Sequence, residues 1–330
     1  LHAVDPYWRP TAGRAHQLAD AYLDEAKWSG VDLSEANLCD AQLARADLAG
    51  ANLAKAELAR TTLSGCRLNT ADLTEVRATS ADFRNADLTR ACMDRGNFAF
   101  AKLRGANLGH AVAEGAAFRG ADLRDVCAQL FSCCNCDFRD AALAGADLEG
   151  ATLRNADLSS LDLHATALAE ADLMGANLAG CHAEYARWPS VKLPRANLRG
   201  AYLTGSLLPR AELRMANLRN AGLADIEWEG VDLRCADLRG CSFHLGSTRS
   251  GLVGSPYASH GTRTGFYTDD YDKHVYQPPE AIRKANLQGA DLRGARIDGV
   301  DFYLVDLRQA KYDREQRKQF RRCDAILSDR

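Results

Sequence analysis

The chain has 330 residues, 46% of them hydrophobic, 26% charged and only 7% aromatic, with a formal net charge of −3. So few aromatics argue against a conventional aromatic core, and the near-balanced charge argues against direct nucleic-acid binding driven by bulk positive charge. No apolar run approaches the roughly 18–20 residues that span a bilayer, so no membrane role is expected.

The first residues, LHAVDPYWRP, lack the basic and apolar regions of a signal peptide. Residues 1–15, with Pro6, Trp8 and Pro10, read as an N-terminal cap. From His16 to Leu245 the chain then divides into blocks of five without an insertion, such as VDLSE, ANLCD, ADLTR, ADLEG and ANLRG. The third position, called i, is apolar: Leu18, Leu23, Trp28, Leu33, and onward to Leu238 and Phe243. Position i−2 is small, mostly Ala, and i−1 is very often Asp or Asn. Positions i+1 and i+2 are polar, charged or Gly.

A period of five fits neither standard element. On an α-helix successive i residues would fall about 140° apart and spiral around the axis. On a plain strand every second one would face outward. The pattern instead needs a short extended piece followed by a corner. In the extended piece i−2 and i point the same way into a narrow interior, where two large side chains would overpack. The residue at i−1 points out.

These A(D/N)LxX blocks resemble the pentapeptide-repeat family. The resemblance implies an all-β, right-handed quadrilateral β-helix with four blocks, or twenty residues, per coil. Phe98, Phe118 and Phe138, spaced by twenty, would then stack in one interior column, and Trp28, Trp188 and Trp228 share another. With the later blocks included, about 13 coils are expected, each stabilised mainly by its neighbours.

Charge is uneven along the array. Residues 121–180 carry ten acids and three bases, whereas 241–330 carry fifteen bases and twelve acids. Arg119, Arg139, Arg199, Arg219 and Arg239 all occupy i+1 and share one face at the twenty-residue period. They read either as a stripe for phosphates or an acidic partner, or as a solvated face paired with block neighbours such as Asp137 and Asp237.

The eleven cysteines are scattered and odd in number, and read as reduced thiols of a protein with a cytoplasmic location. Cys133 (i) and Cys136 (i−2) face inward, while Cys134 and Cys127 face outward, which disfavours a tetrahedral zinc site. Cys66, Cys181 and Cys241 replace Ala at i−2 as small buried hydrophobes. His110, His164 and His182 sit at outward positions far apart in sequence. No nucleophile–base set or phosphate-binding loop is present, so no catalytic residue, cofactor or metal is expected and the chain reads as not an enzyme.

The blocks stop after Phe243 and resume at Ala285 as ANLQG, with Leu287, Leu292, Ile297, Phe302, Leu307 and Tyr312 at i. The intervening insertion, 246–284, differs in composition. It holds Tyr257, His260, Arg263, Phe266, Tyr267, Asp269, Asp270, Tyr271, His274 and Tyr276. Tyrosines among adaptable polar neighbours suit a protein-binding element. A segment that folds back over a face, and a disordered one, are the other readings. Final coils span 285–314. At the start of the C-terminal helix and tail, 315–330, Asp313 of the last block and Gln316 form a capping-box pattern for a short helix with Phe320, Cys323 and Leu327 on one face. That helix would cap the last coil, or else form a dimer contact.

The function expected is a non-enzymatic rigid scaffold for protein–protein interaction, with an unidentified protein partner at the 246–284 element. The chain would be a monomer or an end-to-end homodimer. The resemblance brings an alternative: the quinolone-resistance Qnr group of the family and its mycobacterial relatives imitate DNA and bind DNA gyrase or topoisomerase IV. Those relatives are strongly acidic on one side, unlike this chain with its many arginines at i+1. A third reading, an enzyme with a site in the insertion, lacks any catalytic motif.

Overall fold

Each five-residue block has five backbone N–H groups to satisfy, and the way it does so builds the coil. The computed structural model describes residues 17–224, 226, 228, 230–243, 285–297, 300, 302 and 305–328. They belong to two compact units, Leu1–Asp172 and Leu173–Arg330. The predicted N-terminal cap and the 246–284 insertion lie outside the described residues.

Block 51–55 shows the pattern. Asn52 N–H donates to Val31 O at 2.9 Å, and Leu53 N–H to Asp72 O at 2.7 Å. Lys55 N–H donates to Thr74 O at 2.8 Å, and Ala51 N–H closes the preceding turn on Leu48 O at 3.0 Å. The fifth group, Ala54 N–H, donates to the Asn52 side-chain Oδ1 at 3.1 Å. Three N–H groups thus join neighbouring coils, one closes a corner, and one is capped by the outward Asn.

The residues at i−1 form parallel bridges at an interval of twenty, as in Gln17 with Asn37 and Tyr22 with Gln42 in the first unit. The second unit repeats this with Asn177 and Asn197, His182 and Tyr202, and Lys192 and Glu212. Four blocks therefore complete one coil. Strand pairing is limited to these isolated bridges because only a few residues per side are extended before the next corner.

At almost every described corner the i carbonyl accepts from the N–H three residues on, and i+2 takes the left-handed conformation, as at Lys55 (φ 59°). A left-handed third residue is the pattern of a type II turn. Glycine suits it best. At Gly120 the need is double, since φ is +65° and an added Cβ would lie 2.6 Å from the Phe100 ring of the preceding coil.

The interior holds both i−2 and i. Phe98, Phe118 and Phe138 stack with ring centroids 5.2 Å apart at each step and interplanar angles of 11° and 8°. The rule of one large and one small residue per block is visible at Gly96, where a Cβ would meet Phe98 at 2.5 Å. Occasional blocks hold two large residues, such as Leu161 with Leu163, both buried.

In the second unit the stacking interval opens from twenty to 54: Asp232 pairs with Asn286, Asp237 with Asp291, and Ser242 with Arg296. Thus 34 extra residues separate one coil from the next, and the coils on either side still stack in register.

The C-terminal helix α1, Arg314–Arg322, carries the predicted capping box between Asp313 and Gln316. Phe320 is fully buried against Phe302 and Tyr312. Along 295–300 the helix stands where a following coil would pair, and glutamines supply the donors. Gln316 Nε2 donates to Leu292 O (2.7 Å) and Ala295 O (3.0 Å). Gln319 Nε2 donates to Ile297 O (2.6 Å) and Val300 O (3.1 Å). The expected helical face through Leu327 is corrected. The helix closes at Cys323, Asp324 turns left-handed (φ 54°), and Ile326 returns to bridge Asp306. This return leaves Leu327 beyond the helix.

Candidate interaction surfaces

The outward residue at i−1 has a task within its own block: its Oδ1 accepts the N–H of i+1. Asp72 does this for Thr74 at 2.9 Å, and Asn107 for Gly109 at 3.0 Å. Either residue type offers that oxygen, so the cap is indifferent to charge.

Where i−1 is Asp and i+1 is Arg, a second interaction closes over the first. Asp137 Oδ1 accepts Arg139 N–H at 3.0 Å and Nε at 2.8 Å, while Oδ2 accepts the terminal guanidinium nitrogen at 2.6 Å. The same clip joins Asp82 to Arg84, Asp122 to Arg124, Asp232 to Arg234, Asp237 to Arg239, Asp291 to Arg293, and Asp306 to Arg308. Hydrogen bonding from the arginine holds the carboxyls of Asp122, Asp137, Asp237, Asp291 and Asp306 below the usual carboxylate range. Other acids pair between coils, as Asp40 with Arg60 and Glu57 with Arg77.

The five arginines at i+1 therefore divide. In the first unit Arg139 is clipped to Asp137 and Arg119 bonds Asp140 at 3.2 Å. In the second unit Arg239 is clipped to Asp237. Arg199 and Arg219 follow Asn197 and Asn217, and among the described residues neither has a carboxylate within 4 Å. The asparagines still cap, since Arg199 N–H meets Asn197 Oδ1 and Arg219 N–H meets Asn217 Oδ1, both at 3.3 Å. They also form a ladder: Asn197 Nδ2 donates to Asn177 Oδ1 (2.9 Å) and Asn217 Nδ2 to Asn197 Oδ1 (3.1 Å). Sequence reasoning missed this ladder. Its signal was Asn in place of Asp ahead of an i+1 arginine.

Tyr257, His260, Arg263, Phe266, Tyr267, Asp269, Asp270, Tyr271, His274 and Tyr276 lie outside the described residues. His110, His164 and His182 are exposed, and the His182 ring stacks on Tyr202 at 4.5 Å and 9°.

The reading of all cysteines as reduced thiols is corrected at one place. Cys133 and Cys136, both facing the interior, are joined as a disulfide. Their spacing across a corner brings the two inward side chains together. The corner bond from residue 136 N–H to residue 133 O, made at every other described corner of the first unit, is missing here. Cys66, Cys181 and Cys241 are buried thiols, and burial pushes each up to about 12. Among the described residues no group of His, Cys, Asp and Glu is arranged to hold a metal ion, and no helix is long and apolar enough to cross a membrane.

The chain is similar to HetL, a pentapeptide repeat protein involved in heterocyst differentiation regulation in the cyanobacterium Nostoc. Identity is 28% over 66% of this chain and 91% of HetL, with a TM-score of 0.32. It is similar to full-length QnrB1, a plasmid-mediated fluoroquinolone resistance protein, at 18% identity over 72% of this chain and 95% of that one, TM-score 0.26. A pentapeptide repeat protein of the Arabidopsis thaliana thylakoid lumen matches at 18% identity over 47% of this chain and 78% of its own, TM-score 0.15. No curated protein matches. The model of the pentapeptide repeats matches in 8 copies, over residues 17–54, 56–95, 91–127, 136–173, 171–210, 211–245 and 282–311. With the five-residue blocks, the twenty-residue stacking and these matches together, the chain belongs to the pentapeptide repeat family.

Proposed function

We propose that the chain is a non-enzymatic scaffold for protein–protein interaction, with the 246–284 segment as its binding element. The observation that carries the reading is the step from twenty to 54 in stacking interval between Asp232 and Asn286, with neighbouring coils kept in register. The coil architecture has no requirement for the 34 extra residues. The tyrosine-rich composition of the segment fits contact with a protein.

The DNA-mimic alternative, with DNA gyrase or topoisomerase IV as partner, needs a surface rich in unpaired carboxylates. In this chain clips such as Asp122–Arg124, Asp137–Arg139 and Asp237–Arg239 neutralise them. A cytoplasmic location belongs to the same proposal, although the Cys133–Cys136 disulfide removes the thiol argument for a reducing compartment.

The test is a quantitative capture from source lysate with the intact chain and with one lacking 247–281. A partner captured by the intact chain and lost with the deletion supports the scaffold reading. Gyrase or topoisomerase subunits captured equally by both would overturn it in favour of mimicry.

A further inference from the structure

We propose that one side of the second unit, formed by residues 195–202 and 215–222, is a docking surface for an acidic segment of a partner protein. This surface is separate from the 246–284 segment, and its existence does not depend on the function proposed for that segment.

The acids thin out there. The same stretch of three successive coils reads GANLAGCH (175–182), RANLRGAY (195–202) and MANLRNAG (215–222), and these stretches hold no Asp or Glu, although the chain carries 44 acids in 330 residues. Residue i−1 is Asn in all three, so the turn cap and the coil-to-coil ladder survive without a carboxylate. The clip that neutralises i+1 arginines elsewhere cannot form. Arg195, Arg199 and Arg219 are exposed and, among the described residues, have no ion-pair partner. One coil further on, Asp237 clips Arg239 and its carboxylate also attracts Arg219, so the uncompensated charge ends there and is fullest at Arg195 and Arg199.

Adjacent coils lie about 4.8 Å apart, so Arg199 and Arg219 rise from equivalent positions of neighbouring coils and one anion can reach both. A guanidinium fork is matched to a carboxylate. Beside the arginines are exposed Met215 (56%) and Tyr202 (50%), the latter stacked on His182. His182 in turn faces Glu184 at 3.5 Å, which marks the acidic border of the patch. Arg, Tyr and Met are enriched in protein-binding surfaces. Three uncompensated cations are too few for a nucleic acid, whose binding draws on roughly 6–10 phosphate contacts.

The test is fluorescence anisotropy on the full chain with a labelled glutamate-rich peptide containing leucines. A 20-base-pair DNA duplex and a lysine version of the peptide serve as comparison probes. The acidic peptide binds, and Arg199→Gln with Arg219→Gln weakens it about fivefold or more. Asn197→Asp with Asn217→Asp keeps the cap oxygen, offers each arginine its own carboxylate, and weakens binding similarly with an unchanged circular dichroism spectrum. A chain lacking 248–281 still binds. No binding of the acidic peptide, equal affinity in the arginine and asparagine variants, loss of binding with the deletion, or tighter binding of the duplex through these arginines would each overturn the proposal.

Discussion

Asp237 and Arg239 close a ring within one block. Asp237 Oδ1 accepts the Arg239 backbone N–H at 3.2 Å and its Nε at 2.8 Å, and Oδ2 accepts the guanidinium terminus. One aspartate thereby caps a corner and neutralises the arginine beside it. The first task sets the fold and the second sets the surface charge. Asn197 and Asn217 keep the first and omit the second.

The clips make stability fall in acid. The carboxyls of Asp122, Asp137, Asp237, Asp291 and Asp306 are depressed in the folded chain by their arginine hydrogen bonds. Their contribution is fully present above the unfolded aspartate value of about 3.9 and is lost as pH falls through the folded values. Urea midpoints are expected to be level between about pH 5 and 7 and to drop below about pH 4. Arg139→Gln removes one clip and makes that drop shallower. An unchanged profile in this variant would contradict the assignment.

Capping at i−1 is expected to depend on oxygen and not on charge. Asp72→Ala leaves Thr74 N–H without its 2.9 Å partner and lowers stability by about 1 kcal/mol. Asp72→Asn keeps the oxygen and stays within about half of that loss. Equilibrium unfolding in urea separates the two, and equal losses would refute the cap.

Gly120 and Gly200 both have a φ of +65°, but only Gly120 lies under a side chain of the preceding coil. Gly200→Ala costs about 1 kcal/mol for the left-handed backbone alone. Gly120→Ala costs more, because the Phe100 ring must swing away. In a Phe100→Ala background the two glycine substitutions become equal, which a double-mutant cycle measures.

Thiol reactivity follows burial. Cys127 and Cys235 are exposed, while Cys66, Cys181 and Cys241 are buried with thiols pushed to about 12. Native labelling with iodoacetamide near pH 8, read by mass spectrometry, modifies the first two and spares the other three until the chain is denatured. Cys133 and Cys136, buried and joined, become available only when the chain is both reduced and denatured.

The coil was readable because its interior is narrow. Leu at i and Ala at i−2 repeat too regularly for any other element, and the twenty-residue spacing of Phe98, Phe118 and Phe138 announces the stacking that their rings show. The role of i−1 was only half legible. Outward direction follows from strand alternation, but the side-chain oxygen bends back to its own corner, a local contact that alternation does not encode. The Cys133–Cys136 link escaped because both inward positions were assigned as packing, without regard to their meeting across a corner. Leu327 was placed on the helix by periodicity, whereas the left-handed Asp324 ends that periodicity and returns the chain to the coil.

The most direct test of the account is to remove residues 248–281, the 34 by which the stacking interval between Asp232 and Asn286 exceeds twenty. The junction then reads Gly246-Ser247-Ile282-Arg283-Lys284, a five-residue block with an apolar residue at i. If the segment is a binding element carried by a self-sufficient solenoid, the shortened chain unfolds in urea at the same midpoint with the same slope as the intact chain. A chain that loses cooperative unfolding, or whose midpoint falls steeply, would show that the segment covers the solenoid, and would contradict the account.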